Sequence, residues 1–475
     1  MERTIIADAV PQAKTRTMTN FRWKIAFLIF LISFVAYMDR VNLSVATPVI
    51  MQEFGFDKMD MGFLQTCFFA GYALMQVPGG MLAERFGLRK TGAGAILWWS
   101  VFTALTAFAQ GKASFAAVRL AFGLGEGPVF PSLGQATFNW FNKDEKGKAS
   151  SAILLGTFFG PVIGPMVTVA LIAALGWHAV FIIFGLAGCV LAWVWHRYAQ
   201  DNPKDSPYVN EEEAAFINEG RSLSAEKKSA PWGRFLRSRQ FWALGIQFFV
   251  VDYIMYVFLA WLPLYLTEVH NLSLKSMGIW ASFPWLALMA MVFTAGFLSD
   301  RMAHSKNSSR QYTMRTFTAM AGVAVTSLGL YIAAHTASGA AATIFWMSVS
   351  LGALGFSMSA SWSTVISLGG KYTGSVSGWM NLWGNVGGVL APIVTAFFVT
   401  NYGWNNAFTY TALFGIIAIA AWLFVNPGKH LEGTEEYLHL KGAVAKWLII
   451  LPQPFFCIGK AGISREGGVC LLFHK

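Results

Sequence analysis

The feature that most restricts the fold of this chain is a succession of apolar runs, each of about 20 residues or more, filling most of its length. A helix rises about 1.5 Å per residue, so a run of that size crosses the roughly 30 Å of a bilayer's hydrocarbon core. An open sheet would leave backbone groups unpaired in lipid, so the runs are read as helices. Composition agrees: 55% of the 475 residues are hydrophobic and 12% are charged, about half the charged fraction of a soluble domain. Spans are expected near 23–46, 60–82, 91–110, 114–138, 149–173 and 178–197, then near 240–266, 277–299, 314–335, 340–368, 374–400 and 405–425. The first run is too long for a signal peptide and has no small-residue cleavage site, so it is read as a retained span. The expected fold class is an all-α membrane protein with twelve transmembrane helices.

The net charge of +11 would suit a nucleic-acid partner, but its placement argues for none. Basic residues gather at alternate loops: Arg22 and Lys24 before span 1, Arg85, Arg89 and Lys90 after span 2, Lys143, Lys146 and Lys148 after span 4, Arg197 to Arg239 between the halves, and Arg301, Lys306, Arg310 and Arg315 after span 8. The intervening loops hold only Lys58, Lys112 and Lys275. The positive-inside rule then puts both termini in the cytoplasm, in keeping with an even number of spans. The bacterial inner membrane is the expected location and the bilayer the expected surroundings, with the protein a monomer. Cys67, Cys189, Cys457 and Cys470 have no metal-ligand spacing, and no disulfide framework, metal or other cofactor is expected.

The polar stretch from Asp201 to Arg239 is the only long hydrophilic interruption, and it bisects the pattern. The expected organisation is a cytoplasmic N-terminus (1–22), a first six-helix bundle (23–198), a central loop (199–239), a second bundle (240–426) and a tail (427–475) to which no role is assigned. In the tail, Val444 to Ile458 is apolar but short and broken by Pro452 and Pro454, so it is not expected to form a thirteenth span. The halves repeat. Gly80-Met-Leu-Ala-Glu84-Arg85 corresponds to Gly296-Phe-Leu-Ser-Asp300-Arg301, and Met61-Gly62 to Met277-Gly278, both offset by 216 (296−80, 277−61). Pro165-Met-Val-Thr168 corresponds to Pro392-Ile-Val-Thr395, and Gly176-Trp177 to Gly403-Trp404, both offset by 227 (392−165, 403−176). Four landmarks in order imply duplication of a six-helix unit. Two pseudo-symmetric bundles would then be related by an axis along the membrane normal, with a substrate site between them near the midplane.

Two constellations carry chemistry. At the end of span 2, Gly80, Glu84, Arg85 and Arg89, echoed by Asp300 and Arg301, suit a conformational gate: the glycine permits close helix approach, and acid and base pair in one state and part in the other. The same basic residues also serve as topology determinants. Inside the spans lie Asp39, Arg40, Arg119, Glu126 and Asp252. Each costs roughly 2.5–3.5 kcal/mol at a helix centre, so they should face a cavity or one another. Arg119 and Glu126 are seven residues apart, two turns along one face. A purely structural ion pair is the alternative to a proton site beside an anion site.

Tyr37-Met-Asp39-Arg40-Val-Asn-Leu-Ser-Val-Ala46, Arg119-Leu-Ala-Phe-Gly-Leu-Gly-Glu126-Gly-Pro128, Asn139-Trp-Phe and Trp261-Leu-Pro263-Leu-Tyr265-Leu resemble the anion:cation symporters of the major facilitator superfamily, which include bacterial sugar-acid importers and vesicular glutamate transporters. The resemblance runs from about Trp23 to Pro427 and implies the major facilitator fold. It also implies that Asp39 and Glu126 carry protons, that Arg40 and Arg119 stand near the substrate, and that Tyr37, Tyr72, Ser359, Trp362 and Asn381 line the pocket. There are two departures. Thr157 stands where galactonate-type importers have a Gln that binds sugar hydroxyls, and Asp252 occupies a position expected to be neutral.

Arg offers a planar, permanently charged fork for a carboxylate, hydroxyls and amides can read a polyol chain, and carboxyls in a partly dry cavity can load and release protons. The expected function is import of a small organic anion, such as a hexonate, a hexuronate or a related carboxylate, by proton symport. Substrate is expected to bind best when Glu126 is protonated, leaving Arg119 free. The alternatives are a proton-antiporting exporter, which would favour an apolar pocket, and a membrane-embedded enzyme or sensor. No nucleotide loop, metal-ligand spacing or nucleophile with a base supports an enzyme.

Overall fold

A computed structural model describes residues 18–219, 230–303, 308–426 and 431; the side chains at 299–303, 308–312 and 371 are outside that description. Described residues belong to one compact unit that ends at Leu431. The expected tail (427–475), apart from Leu431, lies outside the described residues, as do Cys457 and Cys470.

Among the described residues there is no strand. The first half comprises α1 (Arg22–Phe54), α2 (Lys58–Phe86), α3 (Leu88–Thr106), α4 (Lys112–Glu126), α5 (Val129–Trp140), α6 (Lys146–Leu175) and α7 (Trp177–Tyr198). Two short helices, α8 (Glu211–Asn218) and α9 (Trp232–Phe235), lie in the central loop. The second half comprises α10 (Arg239–His270), α11 (Leu274–Trp280), α12 (Ser282–Ala303), α13 (Ser308–His335), α14 (Ala340–Gly369) and α15 (Thr373–Trp422). Among the described residues eight stretches are long and apolar enough to cross a membrane. One of them, Thr373–Trp422, holds two expected spans; the other expected spans are α2, α3 and the pair α4–α5.

The element boundaries have local causes. Gly55 ends α1 at φ 68°, and Asp57 begins α2 with a capping box: its carboxylate accepts from the Asp60 amide at 2.7 Å. The span expected as one helix over 114–138 is broken between α4 and α5 at Gly127–Pro128. Proline has no amide to continue the ladder, and its ring opposes the preceding turn. Spans 11 and 12 run as one stretch, interrupted at Gly403 (φ 80°, ψ 171°).

The duplication is visible atom by atom. Gly176 (φ 83°, ψ 164°) repeats the backbone of Gly403. The indole after each glycine donates to a glutamate: Trp177 to Glu53 at 2.6 Å and Trp404 to Glu268 at 2.9 Å. Gly188 packs on Ser100 as Gly415 packs on Ser327, both residues shifted by 227 (415−188, 327−100). Within the halves α1 packs on α6 as α10 packs on α15, α2 on α4 as α12 on α14, and α3 on α7 as α13 on α15. Between the halves α2 meets α15 as α6 meets α11 and α12.

At the end of the bundle opposite the central loop the halves close on each other. A Cβ at Gly62 would fall 3.0 Å from the Pro392 carbonyl and 2.8 Å from Ala396, and one at Gly278 would fall 3.1 Å from the Pro165 carbonyl and 3.0 Å from Val169. These are the same contact made twice. Lys58 pairs with Glu268 across the seam at 3.1 Å, and the Thr66 hydroxyl donates to the Val389 carbonyl at 2.9 Å.

Candidate functional site

Midway along the helices, α1, α2, α4, α10 and α15 bring the charged residues together. Arg40 on α1 donates through Nε to Glu126 Oε1 on α4 at 2.8 Å, and both side chains are buried. Its Nη2 lies 2.6 Å from the same oxygen but is not aligned to hydrogen-bond to it. The pair is therefore one-pronged, with Arg40 Nη2 and Glu126 Oε2 lacking hydrogen-bond partners. The rings of Tyr37, Tyr72, Phe68 and Phe130 surround the guanidinium at 4.5, 4.6, 5.3 and 5.8 Å. Such cation–π contacts replace part of the lost hydration without consuming N–H donors. On its other side Nη1 reaches Tyr256 Oη on α10 at 3.5 Å. Arg40 and Tyr256 occupy the same place in the repeat (256−40 = 216), so they meet on the pseudo-symmetry axis.

Arg119 is held differently. It lies under the rings of Phe122 and Phe68 at 4.6 and 5.0 Å, is 2% exposed, and has no hydrogen-bond partner at Nε. Among the described residues it pairs with no carboxylate. The expectation that Glu126 occupies Arg119 is overturned, because Glu126 holds Arg40. Seven residues along α4 separate Arg119 from Glu126 by about 10 Å of helix rise, beyond the reach of an ion pair, whereas the long Arg40 side chain reaches Glu126 from α1.

Asp39 points toward α3 and away from Arg40. It accepts from the Trp99 indole at 3.1 Å and from Asn42 at 3.3 Å, and Asn42 in turn accepts from Thr168 at 2.7 Å. Asp252 is buried on α10, one turn from Tyr256, where a Cβ at Gly384 would collide with its carboxylate. Thr157 donates to its own helix at the Ile153 carbonyl, 2.9 Å away.

Asn381 joins the site through a residue the sequence reading missed. Gln76 Nε2 donates to Tyr72 Oη at 3.0 Å, while Gln76 Oε1 accepts from Asn381 at 2.7 Å and from Asn385. Gln76 falls one turn after Tyr72 on the same face of α2, which is the signal that could have found it. Trp99, Tyr256 and Asn385 were also missed; their neighbouring charges lie on other helices. Ser359 and Trp362 sit on α14, with Trp362 edge-on to Phe248 at 6.0 Å, and neither touches the Arg40–Glu126 pair.

The gating residues lie at the central-loop end. A Cβ at Gly80 would meet only Pro131, 4.0 Å away, and one at Gly296 would meet nothing within 4 Å. The close helix approach expected there belongs instead to Gly79, where a Cβ would stand 2.5 Å from Pro128 Cα. The α4–α5 corner at Pro128 leans against that face of α2. Arg85 lies over Phe86 at 5.2 Å, and Glu84 is exposed. Arg89 donates to the His196 carbonyl at 2.7 Å and to Gln200 at 3.1 Å, and its amide donates to Asp201 at 3.0 Å. The motif thus ties α3 to the segment after α7. The side chains of Asp300 and Arg301 lie outside the description. Among the described residues no cluster of His, Cys, Asp and Glu could hold a metal ion.

Residues 29–392 and 371–464 match the model of the Major Facilitator Superfamily. The chain is 31% identical over 410 residues to the probable sulfoacetate transporter SauU of Cupriavidus necator, covering 86% of this chain and 94% of that protein. It is 30% identical over 437 residues to the probable galactarate/D-glucarate transporter GudP of Bacillus subtilis, covering 88% and 94%. Among solved structures, a bacterial homolog of the human lysosomal transporter Spinster, inward-facing and unoccupied, superposes with a TM-score of 0.70 at 17% identity, over 88% of this chain and 99% of that one.

Proposed function

This chain belongs to the Major Facilitator Superfamily, and from that premise we propose that it imports a small organic anion, a sugar acid or related monocarboxylate, together with protons. The superfamily and its relatives make it a membrane transporter of anions and not an enzyme. The basic loops support the bacterial inner membrane, with both termini on the cytoplasmic side.

One observation carries the reading: two buried arginines keep donors without a hydrogen-bond partner, Arg40 Nη2 and Arg119 Nε, while the acid paired with Arg40 keeps an oxygen without one, Glu126 Oε2. Buried polar atoms are almost always partnered, so three orphans in one buried cluster, where both arginines pack on the Phe68 ring, fit groups that serve a ligand and a proton. A purely structural pair would be two-pronged and satisfied. A carboxylate entering the cavity competes with Glu126 for Arg40. Protonation of Glu126 ends that competition, so proton and anion each raise the other's affinity, which is the coupling that symport requires. Asp39, held through Trp99 and Asn42, supplies a second proton site one residue from Arg40 on α1. The seam at Gly62 and Gly278, where the halves are in close contact, then serves as the outer gate.

In proteoliposomes an inward proton gradient is expected to drive uptake of labelled hexonate or hexuronate; stimulation by an outward gradient would instead indicate an exporter. Glu126→Gln is expected to abolish accumulation while sparing substrate exchange, and intact accumulation would remove its proton role. Arg40→Ala is expected to abolish substrate binding, measured by calorimetry on the purified protein.

A further inference from the structure

Between the halves, one turn below the Arg40 ring cage, lies a cluster of three side-chain amides. Gln76 from α2 accepts from both Asn381 and Asn385 of α15 and donates to Tyr72 Oη, whose ring lies 4.6 Å from the Arg40 guanidinium. Gln76 and Asn381 are partly exposed and Asn385 is 4% exposed. The Asn381 and Asn385 carbonyl oxygens accept no hydrogen bond among the described residues, so the cluster keeps acceptor capacity.

Packing does not call for these amides, because the repeat makes the same inter-half contact without them. Shifting Gln76 by 216 gives Val292 on α12, and shifting Asn381 and Asn385 back by 227 gives Leu154 and Phe158 on α6. The equivalent α6–α12 contact is thus apolar at all three positions. Duplication retained the seam, and at these three positions only one copy of it carries side-chain amides, which both donate and accept. Gln76 lies one turn, about 6 Å, along α2 from Tyr72, whose ring packs on the Arg40 guanidinium, a placement that suits the hydroxylated tail of a ligand whose carboxylate is held at Arg40.

We propose that Gln76, with Asn381 and Asn385, forms a neutral amide subsite that reads the hydroxyl groups of the transported anion and so determines specificity for polyhydroxylated over plain carboxylates. This rests on the function proposed above, since it takes Arg40 as the carboxylate anchor. On entry, substrate hydroxyls exchange with the Gln76–Asn381 and Gln76–Asn385 hydrogen bonds, so the ligand replaces a link between the halves with its own.

The test is calorimetric binding of D-gluconate, 2-hydroxyhexanoate and hexanoate to the purified full chain. The wild type is expected to bind gluconate most tightly and hexanoate least. Gln76→Met, close in shape but without the amide, is expected to weaken gluconate about tenfold, as for the loss of one or two hydrogen bonds, and to change hexanoate less than about twofold, flattening the series. Asn381→Leu reads the same subsite if the first variant does not fold. A series that keeps its slope in these variants, whether all three ligands weaken alike or none does, would overturn the proposal and leave Gln76 as a latch. Arg40→Ala is run in parallel. If it binds all three acids like the wild type, the carboxylate anchor is wrong whatever the Gln76 series shows.

Discussion

At the scale of single residues, the Arg40–Glu126 pair couples stability to function. Removing one partner of a buried pair leaves an uncompensated charge and costs about 3–5 kcal/mol, whereas neutralising both can cost little. Arg40→Ala is therefore expected to lower unfolding stability by that amount, and Arg40→Ala with Glu126→Gln to recover most of it; denaturant unfolding in detergent measures both. Additive losses would mean that the two side chains do not interact. The sequence displayed the ionisable residues but not their partners. Arg119 and Glu126 share a helical face and look paired from spacing alone, yet their axial separation prevents contact. Glu126 instead finds a residue 86 positions away.

At the scale of elements, α8 of the central loop is tied to the start of α1. Glu213 accepts from the Phe21 and Arg22 amides at 3.0 and 3.1 Å, from the Arg22 guanidinium at 3.0 Å and from the Thr19 hydroxyl, and Arg22 also pairs with Glu145 at 2.8 Å. Burial pushes the Glu213 carboxyl up, but these donors outweigh it and hold it below the ordinary value. A depressed carboxyl stabilises the folded state above its unfolded pKa of about 4.3, and that contribution is lost as pH falls through the lower folded value. Hydrogen-exchange protection over 211–218 is thus expected to persist at neutral pH and to fall below about pH 4. Glu213→Gln is expected to reduce the local opening free energy at pH 7 by about 1–3 kcal/mol. Protection independent of both acid and substitution would exclude the clamp. Helix existence was legible along the chain from apolar run length. The break at Gly127–Pro128 was not, since other prolines, including Pro161 and Pro165, stay inside helices. Whether a helix bends around a proline or stops there depends on what packs beside it.

At the scale of the whole molecule, the matching Gly62 and Gly278 contacts predict matching phenotypes. A valine at either position would thrust into a facing backbone carbonyl and keep the seam from closing. Gly62→Val and Gly278→Val are each expected to cut uptake more than about tenfold while leaving calorimetric substrate binding within about threefold, as for a conformational step blocked beside an intact site. Normal uptake by both would remove the seam from the cycle. The repeat itself was legible as offsets of 216 and 227, but its functional asymmetry emerges only when the halves are compared in space. The counterparts of Asp39 and Arg40 are Met255 and Tyr256, so that part of the charge belongs to one half. By itself the sequence determined the helical membrane fold, the twofold plan and the stock of charged side chains, because apolar length, charge bias and internal repetition are properties of the chain read in order. Only the tertiary structure decided that Glu126 holds Arg40, that Arg119 stays unpaired and that Gln76 bridges the halves. Those pairings depend on distances between helices remote in sequence, and no periodicity encodes them.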